Sequence, residues 1–345
     1  MTTIALPQIP VRVAVETETP VAAAVREGLA AGPKRLPAWL FYDAQGSRLF
    51  DQITQLPEYY LTRTERGIFS TYAGDIVARA AQCDPGATDP NVTYETEPIR
   101  LRIAELGAGS ADKTRLLLTA AAARQGTLLY EPVDVSSSAL QAARERIEGE
   151  IPGVHVLPRV MDYTRGFELY PAAHGERRLV LYIGSSIGNF EPRQANEILE
   201  IIRAGLEPGD SLLLGVDLRK DESTLLAAYD DAAGVTARFN LNLLARLNRE
   251  LGADFDLDSF SHRAVWNAAE SRIEMHLESL IDQRVKFPAL DLEVEFESGE
   301  RIHTENSYKY APGQAEAMLS AAGFNLESTW TDARGWFVVC LGRAE

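Results

Sequence analysis

Between residues 99 and 216 the chain alternates short apolar runs with helix-length stretches, and that alternation restricts the fold more than any other feature. Residues 99–106, 127–135, 154–161, 178–183 and 211–216 read as strands, with helices at 113–124, 136–148 and 191–206. Several of these strands are apolar on both faces, so both faces must be covered by other elements. Strands that alternate with helices and are buried on both sides make a doubly wound, mostly parallel α/β sheet.

After Asp217 the pattern changes. Residues 225–252 read as mainly helical, and 262–300 show period-two alternation, the mark of antiparallel strands. A helix at 313–322 and strands at 325–331 and 335–341 return to α/β character. Ahead of the alternating region lie a loose tail of about 18 residues, helices at 21–31 and 64–82, and an aromatic-rich stretch at 39–65 that is partly helical at 46–54. Residues 84–98 are rich in turn formers and read as a linker. This organisation predicts an α/β domain from 64–219 and 310–345, and a second α+β domain from 20–63 and 220–309. A cleft between two domains is the default ligand site.

Charge and cysteine usage exclude several functions. The net charge is −16, which disfavours nucleic acid and anionic membranes, since both attract Lys and Arg clusters. Cys83 and Cys340 are the two cysteines and form no CxxC pair. A disulfide framework and a thiolate zinc site are therefore not expected, and each reads as a buried or half-buried thiol in a reducing, cytoplasmic setting. No stretch approaches the ~18 apolar residues of a membrane span. The five histidines show no metal-ligand spacing, so no metal site is expected.

The first chemistry-bearing motif is Glu105-Leu106-Gly107-Ala108-Gly109-Ser110, at the end of the first strand. Its glycines allow a tight turn and close approach to a ligand. Position 112 is Asp, so the dinucleotide fingerprint GxGxxG is incomplete, and a plain strand–helix turn is the competing reading. Asp134 ends the second strand, where an acid suits the hydroxyls of a ribose. Asp162 and Tyr163 end the third, where an acid and a ring suit an adenine. Either acid taken singly also reads as a loop acid or helix cap. An acid-rich first loop favours a cofactor without a pyrophosphate, and S-adenosylmethionine fits better than NAD.

Three further motifs bear on a substrate. Asn189, in Gly184-Ser185-Ser186-Ile187-Gly188-Asn189-Phe190 after the fourth strand, can hold an amine or carboxylate, or can cap the helix beginning near Glu191. Tyr42, Tyr59, Tyr60 and Tyr229 can face a quaternary ammonium, or can simply pack. Glu305 and Ser307 are two apart and share one face of an extended segment. Together they can accept from and donate to an imidazole, or can lie on a polar edge strand.

With these motifs the sequence resembles the histidine-specific Nα-methyltransferases of ergothioneine biosynthesis. The resemblance runs from about Ala24 to the C-terminus, through FYDAQGSRLFDQITQLPEYYLTRTE, ELGAGSADKTRLLL, GSSIGNF, AYDDAAGVTARFNLNLLARLNRELGADFDLD and TENSYKY. It implies a class I, Rossmann-like methyltransferase domain with a second domain built from the N-terminal segment and an insertion. By the same resemblance Gly107, Lys113, Asp134, Asp162 and Tyr163 hold S-adenosylmethionine, and Asn189 and Tyr229 bind the substrate carboxylate. Tyr42 and Tyr59 line the amine side as the catalytic pair, with Tyr59 also touching substrate. Glu305 and Ser307 read the imidazole, with Met275 as a wall opposite. The implied activity is triple methylation of the α-nitrogen of L-histidine to hercynine by a cytoplasmic monomer, with a small-molecule substrate and no nucleic-acid, membrane or metal partner. The alternatives are a methyltransferase of the same fold acting on another amino acid or amine, and a non-catalytic S-adenosylmethionine-binding module.

Overall fold

A computed structural model describes residues 18–82, 99–109 and 113–345. The tail, the 84–98 linker and Cys83 lie outside the described residues. The centre is one large sheet. Its parallel part comprises β1 (Arg100–Leu106), β2 (Leu128–Asp134), β3 (Val154–Val156), β4 (Arg159–Val160), β5 (Glu176–Tyr182) and β6 (Ser211–Asp217). Two late strands, β12 (Phe324–Thr331) and β13 (Phe337–Ala344), complete it, in the order β12-β13-β6-β5-β1-β2-β3 with β4 beside β2. β13 runs antiparallel to both neighbours. The order reverses between β1 and β5, and ligands bind open α/β sheets at the carboxyl ends beside such a switch point. This is the Rossmann-like class I methyltransferase order that the resemblance implies.

The apolar strands are explained by what covers them. Ile103, Leu179 and Leu181 face one buried cluster with Phe69 and Leu117. Their chain neighbours Ala104, Val180 and Tyr182 face another with Leu199 and Leu319. Successive residues of a strand point to opposite faces, so both faces need apolar side chains. The covering helices include α3 (Tyr60–Ala80), α4 (Arg115–Gln125), α5 (Ser137–Glu150), α6 (Pro192–Ala204) and α9 (Gln314–Ala321).

A third cluster joins the N-terminal segment to the insertion. It brings Leu29, Phe41 and Leu49 together with Leu243, Phe287 and Ile302. Its elements are α1 (Pro20–Ala30), α2 (Ala44–Ile53), α7 (Glu222–Tyr229) and α8 (Val235–Leu251), with β7 (Phe260–Asn267), β8 (Arg272–Ser279), β9 (Gln283–Phe287), β10 (Leu292–Phe296) and β11 (Arg301–Tyr308). β11, β8 and β7 form one antiparallel sheet, and β9 pairs with β10. β11 then runs to the carboxyl end of β6, where Tyr310 N donates to Asp217 O at 2.9 Å and Arg219 N donates to Tyr310 O at 2.9 Å.

Three local expectations need correction. The expected third strand, 154–161, is two pieces, β3 and β4, interrupted at Leu157-Pro158 because proline has no N–H for the ladder. The expected helical run 225–252 is two helices. Between them Asp231 turns back and accepts from Val235 N at 2.9 Å and Thr236 N at 2.7 Å, which satisfies the first free N–H groups of α8. The expected helix 64–82 starts four residues earlier, at Tyr60.

Candidate active site

Two adjoining regions make the site. The first is the carboxyl edge of the parallel sheet. Gly107 and Gly109 follow β1 with φ of 65° and 48°, the left-handed region that disfavours other residues. Asp134 accepts from Gly109 N at 3.3 Å and from Ser136 N at 2.9 Å, which ties the ends of β1 and β2 together. The Tyr163 hydroxyl lies 3.9 Å from where a Cβ on Gly107 would stand, an ordinary contact distance, so the two residues border one space. Tyr163 packs edge-on against Tyr182, with ring centres 5.6 Å apart. The Asp162 carboxylate is exposed and accepts from Thr164 N at 3.1 Å and Thr164 Oγ1 at 2.6 Å. Lys113 meets a residue the sequence did not single out: its ammonium pairs at 2.5 Å with the fully buried Glu65, whose other oxygen accepts from Gly184 N at 2.8 Å. Glu65 thereby clamps the loop after β1 to the loop after β5.

The second region is a small, partly open cleft beside the first. It is lined by Tyr42, Tyr59, Asn189, Tyr229, Met275, Glu305 and Ser307, the full set of substrate-side residues predicted from the sequence. Tyr42 follows a short turn at Ala38–Phe41, and its ring stands edge-on to Phe50 and Phe239, each at 5.9 Å. Tyr59 precedes α3, with its ring 6.2 Å from that of Tyr229. Burial pushes the phenols of Tyr42 and Tyr59 well above their usual range, and Glu305 adds to the effect on both. Asp134 and Tyr163 also raise Tyr42, so its hydroxyl lies within electrostatic reach of the sheet edge. Asn189 closes the single turn Ser186–Asn189, while α6 is capped by Glu191. Asn189 is therefore not the helix cap.

β11 supplies the polar face of the cleft. A register shift between His303 and Glu305 resets the alternation, and Glu305, Ser307 and Lys309 follow at spacing two. Glu305 stands opposite Met275 of β8. Among the described residues its carboxylate makes no hydrogen bond or ion pair. Burial pushes it up to about 7, with Lys309 pulling the other way. Ser307 Oγ lies 2.7 Å from the Tyr229 hydroxyl. Behind them, fully buried Lys309 donates to Tyr229 Oη at 2.8 Å and Ser307 Oγ at 2.9 Å, and pairs with Asp217 at 2.9 Å. Asp217 also receives Tyr60 Oη at 2.6 Å and Lys220 Nζ at 2.5 Å. The sequence analysis missed Lys309, Asp217 and Lys220. A visible signal existed for Lys309, since Glu-x-Ser-x-Lys puts three polar residues on one strand face.

The loop from Gly184 to Asn189 borders both the sheet edge and the cleft, so two ligands bound there would lie side by side. Comparison with known proteins decides the chemistry. A family model described as "Histidine-specific methyltransferase, SAM-dependent" matches residues 21–344. The chain belongs to this family. A "Histidine N-alpha-methyltransferase" of Mycolicibacterium smegmatis is 46% identical to this methyltransferase over 92% of each chain. A protein of the same description from Mycobacterium tuberculosis is 44% identical, again over 92% of each. "Ergothioneine biosynthesis protein 1" of Neurospora crassa is 30% identical over 87% of this chain and 32% of its own length. Among the described residues no group of His, Cys, Asp and Glu could hold a metal ion, and no helix is long and apolar enough to cross a membrane.

Proposed function

We propose that this methyltransferase transfers three methyl groups in succession from S-adenosylmethionine to the α-nitrogen of L-histidine, giving hercynine for ergothioneine biosynthesis. The observation that carries the substrate assignment is Glu305, a carboxylate without a protein partner in a cleft walled by rings and Met275. Burying a carboxylate is costly unless it is paired, and an imidazole N–H is the missing partner. The curated relatives' descriptions support the same reading.

In this reading 64–219 with 310–345 hold the cofactor, and 20–63 with 220–309 hold the amino acid together with Asn189. Gly107 leaves room for the cofactor, Asp134 accepts from the ribose hydroxyls, Asp162 and Tyr163 meet the adenine, and Lys113 fixes the loop around them. When bound, S-adenosylmethionine supplies an electrophilic methyl on a sulfonium. Asn189 and Tyr229 take the substrate carboxylate, and Glu305 and Ser307 the ring. The amine must be neutral to attack. Tyr42 and Tyr59 stay protonated because burial opposes ionisation, so they relay the amine proton to water rather than keep it. Their rings face the nitrogen as it becomes a permanent cation, worth ~0.5–2 kcal/mol. Orientation supplies the larger share, up to ~7–11 kcal/mol. The charge of −16 and the scarcity of cysteine support a cytoplasmic protein acting on a small molecule, and we read it as a monomer. Histamine, which lacks the carboxylate, tests the Asn189–Tyr229 role: it should turn over poorly at saturating cofactor, and a rate equal to that of histidine refutes that role.

A further inference from the structure

Lys309, one residue past β11, closes that strand's polar row, and the mechanism above leaves it unused. Its ammonium is fully buried and has three N–H bonds and three acceptors: Tyr229 Oη at 2.8 Å, Ser307 Oγ at 2.9 Å and Asp217 Oδ2 at 2.9 Å. An ammonium can only donate. Both hydroxyl oxygens therefore accept from Lys309, and their 2.7 Å contact uses one of their two protons. The remaining hydroxyl proton has no partner within this triangle. By filling an acceptor position on each oxygen, Lys309 leaves each hydroxyl its own proton to give to a ligand.

We infer that Lys309 is a positioning residue that sets this direction of hydrogen bonding, and that the site thereby selects histidine with a neutral imidazole ring. The inference rests on the reading that Glu305 and Ser307 contact the ring. Glu305 accepts from the one ring N–H. Ser307, receiving from Lys309, donates to the bare nitrogen, and Tyr229, also receiving from Lys309, keeps its proton for the substrate carboxylate. An imidazolium would bring a second N–H against a donor and would be refused. Asp217 lies between Lys309 and Lys220, and Asp332 also acts on Lys220.

Two experiments test this. The first uses the wild-type enzyme with S-adenosylhomocysteine and ring-15N histidine, at about pH 6.5, where half of free rings carry the extra proton. The bound ring should give one protonated and one bare nitrogen. Two protonated nitrogens overturn the inference. The second compares kcat/KM for histidine with that for β-(2-thienyl)alanine, whose ring has no nitrogen but whose amine and carboxylate are the same. Losses from misfolding or a disturbed carboxylate site cancel in this ratio. Ser307→Ala should lower it about fivefold, the worth of a typical hydrogen bond. Lys309→Met should lower it by a similar factor, and the double variant should go no further. If Ser307→Ala lowers the ratio and Lys309→Met does not, or if the losses multiply, Lys309 does not act through Ser307. If Ser307→Ala leaves the ratio unchanged, the ring-reading role of Ser307 fails instead. Should Lys309→Met not fold, the nitrogen spectrum of the wild type still decides.

Discussion

Replacing Glu305 by Gln should make the enzyme more stable while crippling it for histidine. The carboxyl is pushed from 4.5 up to about 7, burial being the main cause and Lys309 a partial counterweight. A group whose folded value lies above its unfolded one binds more protons folded than unfolded between the two. Stability therefore falls as pH rises from about 4.5 through about 7, and is lowest above that. At 1.36 kcal/mol per unit the ceiling is about 3 kcal/mol. Glu305 borders the cleft and is only half-buried, and water there screens part of this, leaving ~1–2 kcal/mol. Gln has the same shape without the charge. Urea unfolding should show Glu305→Gln more stable than wild type by that amount at about pH 8, with the gap closing near pH 4.5. Equal stability at both values, or a less stable variant at pH 8, would refute the claim that Glu305 is held unpaired for a ligand.

Two further outcomes follow from the same geometry. Asp134→Ala should weaken S-adenosylmethionine binding by ~1.5–3 kcal/mol, the range for a hydrogen bond to a charged group, with calorimetry as the readout and unchanged affinity counting against a ribose contact. Glu305→Ala should cut kcat/KM for histidine by a large factor while turnover of tryptophan or phenylalanine stays level or rises, because a site built to hydrogen-bond loses most from an unpaired group; equal losses on all three would point to misfolding.

Much of the sheet was legible because burial on both faces leaves an apolar run that few other environments produce, as in residues 178–183. The interruption at Leu157-Pro158 was missed because the run looked continuous by hydropathy, while the missing N–H is a matter of one residue. The split at Asp230–Gly234 was hidden for a similar reason: flanking helical periodicity outweighed one capping carboxylate, Asp231. In the site, Glu305 and Ser307 could be placed on one face by spacing alone. Whether that face looked at solvent or at a cleft depended on packing against Met275 and Tyr229, from elements 30 and 78 positions away. Lys309 and Asp217 are linked only because β11 ends beside β6. No local pattern announces a pair separated by ninety-odd residues, although the alternating Glu-x-Ser-x-Lys row gave half of it.

The central claim is that the cleft presents the α-nitrogen of histidine to the methyl donor. The most direct measurement is incubation of the protein with S-adenosylmethionine and a mixture of the twenty amino acids, with mass spectrometry of the products and proton NMR of any methylated species. The account predicts that histidine gains three methyl groups, all on the α-nitrogen, with the ring unchanged. Methylation of a ring nitrogen, preferential methylation of another amino acid, or cofactor binding without any methylated product would contradict it.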